Sequence, residues 1–397
     1  MLQEKNHPIK NESLESLKDR AIEQLNAINE RVKLWIEKVR PEGKLGRFKW
    51  AIETTRDENI ASTAYLLGAL KKMGIYDDVI TEEDKKAGIE WVQAMNIGNE
   101  QYIDPALYNR KTPGWKDSEP WPSPAMKVGV NQYSQSVLIG YGINIELPPS
   151  PPPKEWPQSD DPEGAIEWIK TRPWNTDAWG AGSHAMRMAT WLLQWYKEGK
   201  ITIEPLIKAL KYFYEIQDKE TGLWGAKSLI KSNRINGTFK LFPLIRDQLD
   251  LPLPYAEKII DEVMDEFYRP DYEKTLGACD EWDNWYVIAL SLSETDNYRR
   301  DEIMKMAGYR IIRILELFGK NDDGLSYSPD SCVTNWIGFD MANSLPQGDV
   351  MGPGILSSGI NVCVDLLGIN NITSWTGDWH LRKRDDSELR EKIISLL

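Results

Sequence analysis

The stretch IEPLIKALKYFYEIQDKETGLWG, residues 203–225, decides the fold of this chain. Apolar residues recur every three or four positions as far as Gln217, which predicts an amphipathic helix. A turn rich in Gly, Trp and charged residues follows. The apolar run TFKLFPLIRDQL, residues 238–249, then predicts a second helix. The unit is an amphipathic helix, a turn and a helix that is apolar over much of its circumference.

This unit occurs six times along the 397 residues. Outer helices with one charged face are predicted at 14–39, 82–96, 163–171, 203–217, 254–269 and 300–318. Inner helices are apolar nearly all round, so other elements should surround them. Their predicted starts are near Arg56, Gly129, Ala181, Arg234, Cys279 and Pro353. The steps between starts, about 45 to 74 residues, are too irregular for a stacked solenoid. We therefore predict an all-α chain that folds as a single (α/α)6 toroid of six helical hairpins, one domain spanning 1–397.

Three long segments interrupt the predicted helices, at 97–128, 143–162 and 319–352. Loops of this length in a compact domain usually form walls or lids of a site, so we expect that role here. The proline-rich run in the second segment suits an irregular brace on the outside of the ring equally well. A final amphipathic helix at 386–397 is expected to pack against the outside.

The composition narrows the choice of partners and compartment. A formal net charge of −13 opposes general attraction to nucleic acid or anionic lipid. The chain has no run of 18 apolar residues and opens on a charged segment, and its three cysteines suit a reducing compartment. We therefore expect a cytoplasmic protein. The 17 Trp and 16 Tyr against 7 Phe suit surfaces that meet sugar rings, although Trp equally fills gaps between helices.

The run QDKETGLWG, residues 217–225, resembles the Gln-to-Trp turn of the α-α toroid superfamily of terpenoid cyclases and prenyltransferases. Two other runs, NEQYIDP at 99–105 and NDDGLSYSP at 321–329, resemble this turn less closely. The count of six hairpins is similar also to six-hairpin glycosidases and toroid polysaccharide lyases. The resemblance implies a ring fold and does not select a reaction. The DxDD and DDxxD sequences of terpenoid cyclases and the Cys/His zinc pattern of protein prenyltransferases are missing from this sequence. No metal or other cofactor is therefore expected.

In a ring of this kind the first turns of all inner helices lie on one face, and here they are polar. The run CDEWDNW, residues 279–285, places Asp280 and Asp283 on one side of a helix. Two nearby carboxyl groups can separate their pKa values, one staying protonated, which is the equipment of glycoside hydrolysis. Asp57 or Glu58 is the alternative catalytic partner across the ring. The competing interpretation is that Asp280 caps the helix and Asp283 pairs with an arginine.

Further candidates lie on the other first turns. His184 is a candidate catalytic residue with a structural role as its alternative. Asn236 and Lys240 are four residues apart and share a helix face. The remaining candidates for substrate binding are aromatic or polar: Trp174, Asp177, Trp179, Arg187, Tyr133, Asn131, Trp224 and Trp285.

These residues predict a carbohydrate-active enzyme, a glycoside hydrolase acting on an oligosaccharide. A polysaccharide lyase is the first alternative: Asn236 or Lys240 would neutralise a uronate, with Tyr133, Tyr272 or His184 as base. A terpenoid cyclase-like enzyme and a non-catalytic binding scaffold, in which the acids only cap helices, are the others. We expect a small-molecule or oligosaccharide substrate and neither nucleic acid nor membrane as partner. The oligomeric state stays open.

Overall fold

A computed structural model describes most of the chain. The residues described are 8–98, 101–145, 152–319, 324–329, 331–343, 345–378 and 387–397. Several sequence features lie partly outside them: the charged opening segment, the runs at 99–105 and 321–329, the proline run that begins at Glu146, and the start of the predicted helix at 386.

The described part of the chain is mostly helical and has almost no strand, so the all-α prediction is confirmed. Its helices are α1 Leu14–Val39, α2 Ile60–Met73, α3 Tyr76–Val79, α4 Glu82–Ala94, α5 Pro105–Tyr108, α6 Pro124–Gly140, α7 Pro162–Lys170, α8 Ala178–Lys197, α9 Glu204–Ile216, α10 Lys231–Phe242, α11 Ala256–Phe267, α12 Tyr272–Thr275, α13 Ala278–Leu292, α14 Arg300–Phe318, α15 Met351–Leu367 and α16 Ser387–Leu396. A π-helical turn, Pro243–Gln248, continues α10. Two short strands, β1 Asn335–Trp336 and β2 Phe339–Asp340, pair antiparallel.

N-cap side chains mark the starts of three of the six apolar helices: Asn59 caps α2, Ser123 caps α6 and Asp177 caps α8. Five of the six begin within a few residues of the predicted position. The exception is α6, which was expected near Gly129 and begins at Pro124. The Ser123 hydroxyl accepts a hydrogen bond from the Met126 amide at 3.3 Å, and proline suits the first helical position, so the helix starts earlier than its apolar run.

Contacts between helices follow the chain order. The apolar helix α2 packs against α6 and α15, and α13 packs against both α15 and α10. In turn α10 packs against α8. The amphipathic helices lie against these: α4 on α6, α7 and α9 on α8, α11 on α13, and α14 on α15. The first amphipathic helix, α1, packs on the last of the six, α14. Within the described residues, α6 and α8 form no interface of comparable extent.

The run at 217–225 joins α9 to α10. The Trp224 indole donates to the Phe213 carbonyl at 2.7 Å, and the Gln217 amide donates to the Gly222 carbonyl at 2.8 Å. Arg234 of α10 donates to Asp218 at 2.9 Å. The turn therefore fixes the end of one helix to the first turns of the next.

The long insertions differ in what they contact. Trp156, in the second insertion, packs against Trp168 of α7 and Trp191 of α8, so this part is a brace on the hairpin α7–α8. The first and third insertions meet each other, since the Thr112 hydroxyl donates to the Gly338 carbonyl at 2.7 Å. Together they lie over the start of α2, where the Arg56 guanidinium donates to the Asp340 backbone carbonyl at 2.7 Å.

A buried ion pair fixes the orientation of α13. Glu281, on its outer side, accepts hydrogen bonds from Arg310 of α14, and both side chains are 3% exposed. The Trp285 indole donates to the same carboxylate at 3.2 Å. Buried apolar side chains from Ile9 to Ile393 form one contiguous core around this pair. None of the helices described is both long and apolar enough to cross a membrane.

Replacing Arg310 by leucine should lower the free energy of unfolding by about 3 to 5 kcal/mol, because the buried carboxylate of Glu281 then has no cation beside it and keeps only the Trp285 indole as donor. The double variant Glu281→Gln/Arg310→Leu should recover part of this loss. Urea unfolding followed by Trp fluorescence measures both. Arg300→Leu, at an exposed position of the same helix, is the control. A loss no greater than that of the control would show that the pair does not hold α13.

Candidate functional site

Polar side chains from α2, α6, α10, α13 and the third insertion meet around one carboxyl group. We call this group the Asp283 cluster; its members are Tyr65, Tyr133, Asn236, Lys240, Cys279, Asp280, Asp283 and Tyr327. Trp336 borders it, with its ring centroid 4.9 Å from that of Tyr133. The cluster thus unites five of the predicted site residues: Tyr133, Asn236, Lys240, Asp280 and Asp283.

Asp283 is a buried acid without a hydrogen-bond partner at one oxygen. Its side chain is 1% exposed, and Oδ2 contacts no donor among the residues described. Burial raises the pKa of Asp283 to about 8, against a smaller opposing effect of Lys240, and the charge of Asp280 raises it further. Asp283 is therefore protonated at neutral pH. The competing interpretation, that it pairs with an arginine, is wrong in the described structure, since Arg310 binds Glu281 instead.

Asp280 is held differently. Its Oδ2 accepts from the Gly277 amide at 2.8 Å, so it does cap α13, and its Oδ1 accepts from the Asn236 amide at 3.4 Å. Burial raises its pKa, and these two hydrogen bonds oppose the rise. Asp280 also lines a pocket of about 490 Å³ beside Arg269 and Tyr272, which Asp283 does not line. The two carboxyl groups are close enough to interact but face different spaces.

Cys279 and Tyr327 complete the cluster on the side of the third insertion. Burial raises the pKa of Cys279 to about 11, and the charge of Asp283 adds to this, so the thiol is neutral. Burial likewise raises the pKa of Tyr327, whose hydroxyl is hydrogen-bonded to Cys279. The Tyr327 carbonyl accepts from the Ala278 amide at 2.9 Å, which ties the insertion to the start of α13.

Two tyrosines face the cluster from the opposite side. The Tyr133 hydroxyl of α6 lies 2.7 Å from the Tyr65 hydroxyl of α2. Burial raises the pKa of both phenols. They are therefore neutral groups that can donate and accept hydrogen bonds at neutral pH.

Lys240 and Trp179 lie where the cluster meets solvent. The Lys240 ammonium is 5.5 Å from the centroid of the Trp179 ring and 4.6 Å from that of Phe239. Trp179 is 49% exposed, and Lys240 is partly exposed. Lys240 forms no salt bridge with any residue that the structure describes. The sequence predicts that both residues bind substrate, and both lie at an accessible edge of the site.

Three of the predicted stacking residues are core residues instead. Trp174, Trp224 and Trp285 are 7%, 0% and 1% exposed, so none offers a ring face to a substrate. The Trp285 ring packs on Phe267 with centroids 4.7 Å apart. These tryptophans fill the spaces between helices, the alternative that the composition left open.

The remaining candidates on α6 and α8 lie outside the Asp283 cluster, and all of them except Arg187 contact structural partners. The His184 ring lies 5.2 Å from that of Trp156 and 6.1 Å from that of Trp168, centroid to centroid, so it faces the brace on α7–α8. Burial and the charges of nearby arginines lower its pKa. Asp177 caps α8 through the Gly180 amide at 3.0 Å, and Arg187 is exposed. Asn131 accepts from the Tyr102 amide at 2.9 Å.

Asp57 and Glu58 line a separate pocket of about 810 Å³ beside α4, to which no member of the Asp283 cluster contributes. Lys44 donates to Glu58 at 2.6 Å, and Asp57 is exposed. The structure does not bring them to Asp283, so the alternative pairing across the ring is not supported.

No known protein family, curated protein or solved structure matches this chain. Over the described ranges, no group of three or more His, Cys, Asp or Glu side chains is placed to hold a metal ion. The only support for a function is therefore the chemistry of the Asp283 cluster.

Replacing Asp283 by asparagine should stabilise the protein in a pH-dependent way. The unfolded carboxyl group releases its proton near pH 3.8, whereas the folded one holds it to about pH 8. Below pH 3.8 both states are protonated and the acid costs nothing extra. As pH rises towards 8 the wild-type protein loses stability, and above 8 the loss is complete. The variant lacks this loss, which is on the order of 5 kcal/mol at pH 8 because the folded and unfolded pKa values lie about four pH units apart.

Thermal unfolding of wild type and Asp283→Asn between pH 4 and 9 measures the effect. Strain from the new amide would change the stability difference between variant and wild type by the same amount at every pH. The pH dependence of that difference is therefore the result that tests the prediction. Asp19→Asn, at an exposed position of α1, is the matched control and should follow the pH dependence of wild type. A variant that becomes less stable than wild type as pH rises would mean that Asp283 is ionised and stabilised when folded.

Proposed function

We propose that the chain forms a single (α/α)6 toroid. Six apolar helices, α2, α6, α8, α10, α13 and α15, alternate along the chain with six amphipathic ones, α1, α4, α7, α9, α11 and α14. Contacts from α8 through α10, α13, α15 and α2 to α6 support a ring of apolar helices, with the space between α6 and α8 as its loosest point. The Asp283 cluster then lies between these helices, at the level of the first turns of α13 and the middle of α2 and α6.

We propose further that the protein is a glycoside hydrolase with Asp283 as general acid. The observation that carries this is the buried carboxyl group of Asp283, whose Oδ2 contacts no donor among the described residues and whose pKa burial raises. A carboxylic acid of this kind can give its proton to the leaving oxygen as the glycosidic bond breaks. At the neighbouring Asp280, hydrogen bonds from Gly277 and Asn236 favour the ionised form. Burial still raises the pKa of Asp280 overall. We assign it as base or nucleophile because it is the carboxyl group whose charge acts on Asp283. This role requires a substrate that reaches both Asp283 and the 490 Å³ pocket that Asp280 lines.

Substrate reaches this acid from the edge formed by Lys240 and Trp179. Asp283 is buried, so its proton meets a substrate only after a neighbouring side chain moves. Lys240 is partly exposed, and its long flexible stem makes it the group that moves. The exposed face of Trp179 offers a surface for a sugar ring.

The same cluster gives less support to the alternatives. A lyase needs a base, yet burial raises the pKa of Tyr65, Tyr133, Tyr327 and Tyr272. His184 is exposed, but it lies beside Trp156 and Trp168 and not in the Asp283 cluster. A terpenoid cyclase needs an apolar cavity around a carbocation, whereas amide, ammonium and hydroxyl groups occur here. A scaffold gains nothing from a buried acid without a partner, which costs stability.

Asp283→Asn and Asp280→Asn should each lower turnover of an oligosaccharide substrate at least about 100-fold, because general acid–base catalysis contributes that much. Reducing ends and near-ultraviolet absorbance are followed together over a panel of neutral and uronate-containing oligosaccharides. Asp19→Asn should match wild type. Full activity in both site variants would remove Asp283 and Asp280 from the mechanism, and products absorbing in the near ultraviolet would identify an elimination instead.

A further inference from the structure

Lys240 is a cation whose charge the surrounding protein leaves uncompensated. Its nearest acids are on α13, and none of the described carboxylates forms a salt bridge with it. Asp283 beside it is held in the neutral form. The oxygens of Asp280 are already occupied by the Gly277 and Asn236 amides. The ammonium therefore rests against the aromatic faces of Trp179 and Phe239 instead of an anion.

Asn236 adds a second unsatisfied group on the same helix face. It precedes Lys240 by one helical turn on α10, and its Oδ1 is buried without a hydrogen-bond donor. A sugar hydroxyl is a donor that fits such an acceptor. The site thus presents a buried acceptor and, one turn further along the helix, a positive charge.

Trp179 supplies the surface next to these groups. It begins the first turn of α8, is 49% exposed, and has the Lys240 ammonium 5.5 Å from its ring centroid. A pyranose ring lying across Trp179 has its substituents within reach of the Lys240 side chain. The Trp179 ring and the Lys240 ammonium are therefore parts of one surface.

We propose that this surface binds a saccharide ring carrying one carboxylate, with the ring against Trp179, a hydroxyl donating to Asn236 and the carboxylate paired with Lys240. The chain as a whole has a net charge of −13, so a single acidic group held by a local cation is favoured over a long polyanion. The saccharide part rests on the proposed function. The preference for the carboxylate is a binding property and does not depend on which bond is cleaved.

Binding to matched oligosaccharide pairs tests this inference. The members of each pair differ only at C6 of one sugar, which is a hydroxymethyl group in one and a carboxylate in the other. Cellobiose with cellobiouronic acid is one such pair, and pairs of other linkages complete the panel. Isothermal titration of the full-length protein at low and high NaCl gives the affinities. For at least one pair, wild type should bind the acidic member about tenfold more tightly at low salt, and salt should weaken only that member.

Substitutions separate the two parts of the surface. Lys240→Met keeps the aliphatic stem and should abolish the preference, whereas Lys240→Arg should retain most of it. Trp179→Ala should weaken both members of a pair alike. Lys86→Met, at an exposed position of α4, should behave as wild type. Circular dichroism and melting temperature of each variant establish that it is folded.

Equal binding of the two members, binding of neither across the panel, or a preference that survives in Lys240→Met would overturn the inference. Its failure is distinguishable from failure of the proposed function. A preference that depends on Lys240, without release of reducing ends, supports the inference and contradicts the hydrolase. Hydrolysis of both members, bound with equal affinities, supports the hydrolase and contradicts the inference.

Discussion

The orientation of α13 is the constraint on which the site depends. Helix α13 packs against α10, α11 and α15, and its rotation is fixed by the buried bond between Glu281 and Arg310 on its outer side. Successive residues of a helix point about 100° apart, so a residue two positions on from Glu281 points back across the helix. With Glu281 turned outwards, Cys279 and Asp283 must therefore face the other helices of the cluster. One ion pair thus determines which carboxyl group becomes the buried acid.

The same geometry explains why Asp280 and Asp283 have different environments although only three residues separate them. Asp280 is turned towards α10 and α11, where the Gly277 amide and the Asn236 side chain meet it. Asp283 is turned towards Lys240 and Cys279, where burial dominates its pKa. Asymmetry of this kind is what acid–base chemistry requires, because identical environments would give two similar acids. The spacing in the sequence predicted proximity and could not predict this difference in direction.

Sequence patterns located the helices well because their signal is periodic. The apolar helices and the capping role of Asp280 could be read from residue types alone. Trp224 and Trp179 could not be told apart, since both follow Gly-rich or Asp-rich turns, yet one is fully buried and the other half exposed. Tyr327 lies in an insertion without periodicity, so nothing in the sequence linked it to Cys279. Contacts between segments that are distant in the chain determine the exposure of such tryptophans and the partner of Tyr327. These contacts cannot be read from a single sequence.

Two other buried aspartates show what a structural acid looks like in this chain. Asp104 is 0% exposed and accepts from the Ile60 and Ala106 amides, each at 2.9 Å. Asp349, equally buried, accepts from the amides of Tyr327, Val333 and Gly352, also at 2.9 Å.

Burial raises the pKa of Asp104 and of Asp349 to about 6, and their backbone hydrogen bonds limit the rise. Both acids join loops to helix starts, and their hydrogen bonds offset the cost of burial. Asp283 is buried to the same degree without such bonds at Oδ2, and its pKa rises further, to about 8. A fold that satisfies Asp104 and Asp349 with backbone amides leaves Asp283 unsatisfied at the point where Lys240 and the tyrosines converge. This contrast within one chain is the physical reason for proposing a catalytic role for Asp283 and a structural role for Asp104 and Asp349.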